Sequence, residues 1–326
     1  MTDTTIYEHI VKTIEAGDID KAANIAEESL RKVPNDSKLH YLSGEIALLQ
    51  KRYIQALESF RIASQGLPEN AEVWGGICEA ASSLGNYQES FEAGYRGLNL
   101  GILTPRQVTC TALSMAMLGE IEGGKSLLIA QTEEFMDGAE PWMGLGVIMM
   151  MMEKDTSRAF DYYKKAITLD PDVFEAQTGL GQIYLEWRKY SHALQHFNHA
   201  LNTNPSYLPA HEGMIEALWQ LGEPQECLGA CKSLLQSQPL NRTANLRYGM
   251  SLFALNRNNE GEAHFRKALK QDSENVDIAI YLAGYLEQNA QFDEALKIYQ
   301  QAYNNCKLPN IKEKLAMLIE QRKQHI

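Results

Sequence analysis

The sequence has no Cys-x-x-Cys pair, no long apolar run and no cluster of basic residues. Five cysteines, Cys78, Cys110, Cys227, Cys231 and Cys306, form an odd set that suits a reducing compartment better than a disulfide framework. The longest apolar run, Met143 to Met152, is too short to span a bilayer. The opening segment lacks the basic start and apolar core of a leader peptide. These absences lead us to expect a cytoplasmic chain without membrane insertion. A net charge of −12 repels a polyphosphate backbone, so nucleic acid is not an expected partner. No nucleophile elbow, dinucleotide fingerprint or metalloprotease signature occurs, so neither an enzyme nor a cofactor is expected.

What is present is repetition. Hydrophobic residues make up 44% of the chain and are spread along it, so apolar surface can be buried from end to end. At 326 residues the chain exceeds one ordinary core, which points to several domains or to an elongated array. Prolines set a period of 34 residues from Pro34 to Pro68, from Pro171 to Pro205 and from Pro205 to Pro239.

The clearest unit runs from Asp172 to Pro205 and reads as two short amphipathic helices joined by a tight turn. Gly181, Ala193 and Ala200 are expected where helix backbones approach most closely, with Leu180, Tyr184 and Phe197 filling the space between hairpins. Leu180-Gly181-x-x-Tyr184 and Ala193-x3-Phe197-x2-Ala200, closed by Pro205, resemble the tetratricopeptide repeat (TPR) family, with Gln177 departing at its Trp slot. Copies recur as Gly44, Tyr53, Ala56, Phe60, Ala63 and Pro68, as Gly249, Gly261, Phe265 and Ala268, and as Phe292, Ala295, Tyr299 and Ala302. Nine copies begin near Thr4, Ser37, Ala71, Pro105, Glu140, Val173, Tyr207, Arg242 and Val276.

The resemblance implies an all-α, right-handed superhelical solenoid of about nine helical hairpins. Asn310 and Glu313 with Ile311, Leu315, Leu318 and Ile319 read as a C-terminal capping helix over 310–326. We divide the rest into repeats one to three at 1–104, a divergent fourth repeat at 105–139, and repeats five to nine at 140–309. Gly94, Gly97 and Gly101 predict looser packing in repeats three and four, with a hinge between Gly97 and Pro105 or near Asp137 to Pro141. The fifth repeat carries one extra residue in its turn before Ala159.

Three constellations invite chemical readings. Gly119 to Ser126 fits the phosphate-loop spacing, yet Ala112 to Leu118 reads as a helix where that loop needs a strand. His192, His196 and His199 share a helix face at chelating spacing but fall between inward positions, so a solvated face is expected. Cys227 and Cys231 occupy inward slots and read as core. None of the three predicts a metal or catalytic site.

The family's first helices line a concave groove. Carried onto this chain, that arrangement implies partner contacts at Tyr41, Glu45, Glu79, Leu113, Met117, Met143, Val147, Met150, Met151, Gln182, Glu212, Glu216, Trp219, Met250 and Phe253. Methionines adapt to irregular apolar ligands, which favours an amphipathic helix or extended hydrophobic peptide, and the glutamates favour a basic one. Part of the Met149 to Met152 run must pack inward, because four consecutive helical residues point all ways, and Met149 is expected to be core. The asparagine that follows the repeat glycine in chaperone-tail clamps is replaced by Glu45 and Gln182, so acidic chaperone tails are not the expected ligand. The leading expectation is a non-catalytic adaptor or scaffold for a protein or peptide partner. The alternatives are self-assembly into a homo-oligomer, or a separately encoded targeting arm for a glycosyltransferase or sulfotransferase.

Overall fold

The computed structural model describes residues 3–101, 103–134, 137–307 and 316. Among them lie eighteen α-helices and no strand, arranged as nine antiparallel pairs. The pairs are α1 (Asp3–Glu15) with α2 (Ile19–Lys32), α3 (Ser37–Leu49) with α4 (Tyr53–Gly66), and α5 (Ala71–Ser83) with α6 (Tyr87–Leu100). Next come α7 (Pro105–Met117) with α8 (Ile121–Glu134), α9 (Glu140–Ile148) with α10 (Thr156–Leu169), and α11 (Phe174–Glu186) with α12 (Tyr190–Thr203). The last are α13 (Leu208–Gln220) with α14 (Pro224–Ser237), α15 (Arg242–Ala254) with α16 (Asn258–Gln271), and α17 (Val276–Gln288) with α18 (Phe292–Cys306). The expected capping helix at 310–326 lies outside the described residues, Ala316 excepted.

Each hairpin turns through one left-handed residue: Gly17, Lys51, Gly85, Gly119, Lys154, Arg188, Gly222, Asn256 and Ala290. These stand 34 residues apart, except for 35 between Gly119 and Lys154. The amide after each closes a bond five residues back, as Arg52 N–H does to Ala47 C=O at 2.8 Å, except that Asp155 N–H reaches six back to Met149 C=O, so the left-handed residue satisfies the carbonyls at the helix end. The extra residue of the fifth repeat is absorbed in a π-turn, Met149–Glu153, that extends α9. Five of the first helices start at side-chain caps: Asp36, Asn70, Asn241 and Asn275 accept from the amide three residues on, and Thr104 forms a capping box with Gln107.

The closing prolines have a partner that their spacing does not reveal. Trp74 Nε1 donates to the Pro68 carbonyl at 2.8 Å, and Gln177 Nε2 donates to the Pro171 carbonyl at 2.8 Å. His40 and His211 bind Pro34 and Pro205 in the same way, and Asn245 binds Pro239. The Trp slot is therefore a donor slot, and Gln177 fills it rather than departing from it.

The glycines also act differently from the expectation. A Cβ on Gly181 would lie 2.6 Å from Phe197 Cε1, and one on Gly44 2.8 Å from Phe60 Cε1. They are notches for the ring of the second helix rather than points where backbones touch. Gly124 does approach backbone, at the Ala112 carbonyl. The predicted looseness of repeats three and four is not found. Thr111 Oγ1 fills the space beside Gly94, and Leu103 Cδ2 would stand 2.9 Å from a Cβ on Gly97.

The chain parts into two compact units, residues 1–179 and 180–326, so that the divergent fourth hairpin lies inside the first. Within the first, α3 packs on α5, α5 on α7 and α7 on α9; within the second, α13 packs on α15 and α15 on α17. First helices thus form a continuous row in each unit. Second helices are linked by long ion pairs, Arg61 to Glu89 at 2.6 Å in the first unit and Arg266 to Glu294 in the second.

Candidate functional site

The row of first helices in the first unit carries Tyr41 and Glu45 on α3, Glu79 on α5, Leu113 and Met117 on α7, and Met143 and Val147 on α9. Met150 and Met151 follow in the π-turn. Met143 is 3% exposed and belongs to the core, a correction to its expected place in the groove, because α9 is packed by α7, α8 and α10 together. Met149 is buried as expected, Met150 is half-buried and Met151 is 57% exposed. Tyr41 O–H donates to Glu72 at 3.1 Å, and burial, followed by Glu45 and Glu72, pushes its phenol up. Burial and then the neighbouring Glu79 and Glu72 carboxylates push Glu45 up to about 7.

Glu79 does not stand free for a basic partner. Arg106 Nε on α7 lies 3.6 Å from it, and the same guanidinium donates to Glu175 at 2.6 Å. Burial raises the Glu79 carboxyl, and Arg106 opposes that shift.

In the second unit a single residue that the repeat pattern did not single out joins three of the expected positions. Arg247 Nη2 lies 2.7 Å from Glu216 Oε2, its guanidinium stands 5.3 Å from the Trp219 ring centroid, and its Nη1 reaches Met250 Sδ at 3.3 Å. Glu212 accepts from Asn241 at 2.7 Å. Phe253 is half-buried among Phe265, Tyr281 and Tyr285, with the Tyr285 ring 4.5 Å away. Gln182 is exposed on α11. Arg106 and Arg247 were legible only as basic residues on first helices, α7 and α15, that carry no Asp or Glu.

The phosphate-loop match folds as a hairpin turn. Gly119 takes φ +102° and Lys125 pairs with Glu122 at 3.1 Å and Glu153 at 2.6 Å, so acidic groups hold the lysine. His192 and His196 both stack on Tyr184, at 5.3 Å centroid separation, and burial lowers His196. Cys227 and Cys231 are fully buried, and the hydrogen bond between them favours loss of the Cys227 proton over that of Cys231.

With this geometry in view, sequence profiles of the tetratricopeptide repeat match residues 14–71, 174–207, 212–275 and 249–307. The chain belongs to the tetratricopeptide repeat family. The TPR chain is 23% identical over 235 residues to the BBSome complex member BBS4 of Bos taurus, covering 72% of this chain and 44% of that one. It is 24% identical over 247 residues to the human protein O-mannosyl-transferase TMTC3, covering 72% of this chain and 26% of that one. The chain thus spans between about a quarter and a half of these relatives' length. Among solved structures, an IFIT1 monomeric mutant with Gppp-AAAA superposes with a TM-score of 0.67 at 14% identity, over 98% of this chain and 80% of that one. The human IFIT1 dimer with m7Gppp-AAAA gives 0.60 at 14% identity, over 91% and 80%. These likenesses show the all-α repeat fold. TPR proteins generally mediate protein–protein interactions.

Proposed function

We propose that this TPR chain is a non-catalytic adaptor that holds an amphipathic segment of a partner protein on its rows of first helices. The observation that carries the reading is the Glu216–Trp219–Arg247–Met250 cluster, which spans two successive first helices with an indole, a thioether and a charged pair. Half-buried aromatic and thioether groups of this kind favour an apolar anchor beside a polar rim. Since Arg106 and Arg247 already balance Glu79 and Glu216, attraction for a basic residue falls to Glu212. The net charge of −12 favours a protein over nucleic acid. A cytoplasmic location accords with five cysteines and with no described helix long and apolar enough to cross a membrane.

Selection of a displayed peptide library on the native chain tests this. Peptides should converge on an apolar anchor flanked by a basic residue, and Trp219→Ala or Met250→Glu should weaken them at least tenfold with the circular dichroism unchanged. Peptides without convergence, or insensitive to both substitutions, overturn the reading. The likeness to a protein O-mannosyl-transferase favours a second reading, in which the array accompanies a glycosyltransferase. Co-expression with such an enzyme, followed by copurification, separates the two.

A further inference from the structure

The start of α11 reaches past its neighbours. In repeat arrays each unit ordinarily contacts only the next, and Arg61–Glu89 and Lys125–Glu153 obey that rule. Phe174 and Glu175 do not. Lys51, the left-handed residue of the second hairpin's turn, stands with its ammonium 4.8 Å from the Phe174 ring centroid, three hairpins being skipped. Arg106 of the fourth hairpin donates to Glu175 at 2.6 Å, skipping the fifth, and holds Glu79 of the third at 3.6 Å. Residues of four hairpins thus converge on one aromatic–acidic pair, and all five side chains belong to residues of the first unit.

An array held only by neighbour contacts changes its curvature readily, because small shifts at each interface add up. Contacts that skip hairpins fix that curvature at one value. A cation over a ring and one charge-assisted hydrogen bond together favour such a closed form by roughly 10- to 100-fold, which leaves an open form populated at about the per cent level. Both contacts are electrostatic, so the balance responds to salt and to a competing carboxylate.

We propose that Phe174 and Glu175 form an intramolecular latch on Lys51 and Arg106, the latter also held by Glu79. Closed, the latch covers Arg106 and Glu79 in the row of first helices. Open, it releases both to a partner segment, whose own acidic side chain replaces Glu175 on Arg106. The latch is independent of peptide binding; only this last consequence rests on the adaptor reading.

Hydrogen exchange of the full chain, with no partner present, tests the latch alone. Glu175→Gln should raise amide exchange about tenfold both at residues 177–180 and in the distant turn at 48–53, with helix content unchanged. Lys51→Gln should raise it at 177–180 in return, and half-molar sodium chloride should reproduce both effects in the native chain. The swap of Arg106→Glu with Glu175→Arg should restore protection. Exchange that rises only around each substituted residue, or a native chain insensitive to salt, overturns the latch. Should Glu175→Gln fail to fold, Lys51→Gln and the salt series read the same coupling.

Discussion

The ring of Phe197 occupies the space that a side chain at Gly181 would need, since a Cβ there would fall 2.6 Å from Phe197 Cε1. Gly213, on the first helix of the following hairpin, leaves room for the same ring, a Cβ there falling against Phe197 Cζ. One aromatic from a second helix is therefore held between glycines of two consecutive first helices.

That relationship predicts opposite outcomes for two glycine-to-alanine changes in helices. Gly213→Ala should destabilise by about 1–3 kcal/mol through overpacking, after any gain in helix propensity. Gly229→Ala, on α14 with nothing within 4 Å of its Cβ position, should stabilise by about 0.5–1 kcal/mol. Urea denaturation followed by circular dichroism measures both.

The donor role of Gln177 predicts a chemical rather than steric preference. Gln177→Leu leaves the Pro171 carbonyl without its 2.8 Å bond and should cost about 1–2 kcal/mol. Gln177→Trp should retain most of the stability, because Trp74 makes the equivalent bond to Pro68. Equal losses for Leu and Trp would show that size, not donation, governs the slot.

Glu45 predicts a pH dependence of defined sign. Its folded carboxyl keeps a proton up to about pH 7, against 4.5 when unfolded, so folding takes up a proton between those values. Stability contributed there falls as pH rises from about 4.5 to about 7 and is level above. Glu45→Gln should stabilise the chain at pH 8 by about 1–3 kcal/mol, the upper figure being the undiscounted shift, and should leave it unchanged at pH 4. Thermal midpoints at the two pH values decide this.

The π-turn at Met149–Glu153 predicts that its additional residue serves something other than folding. Deleting Met152 restores the 34-residue interval between Gly119 and the next left-handed position, and should leave the thermal midpoint unchanged or higher. A midpoint lowered by more than a few degrees would show that the turn is required by the fold.

The period was legible because it depends on local chemistry: Pro68, Pro171, Pro205 and Pro239 cannot continue a helix, and Ala193, Phe197 and Ala200 recur on one helix face. Hairpin number, hairpin boundaries and the buried fate of Met149 follow from those patterns alone. The tertiary structure decided which atoms meet. Donation to a proline carbonyl is common to Trp74, Gln177, His211 and Asn245, residues that share no shape, so no pattern of sizes reveals it. The burial of Met143 depends on how the neighbouring helices pack around α9, and the pairing of Arg247 with Glu216 and of Arg106 with Glu175 depends on distances between hairpins. Sequence determines the repeating element because its signals act within a few residues along the chain. The contacts of the candidate surface belong to the structure, since they are fixed by how far each hairpin turns relative to its neighbours.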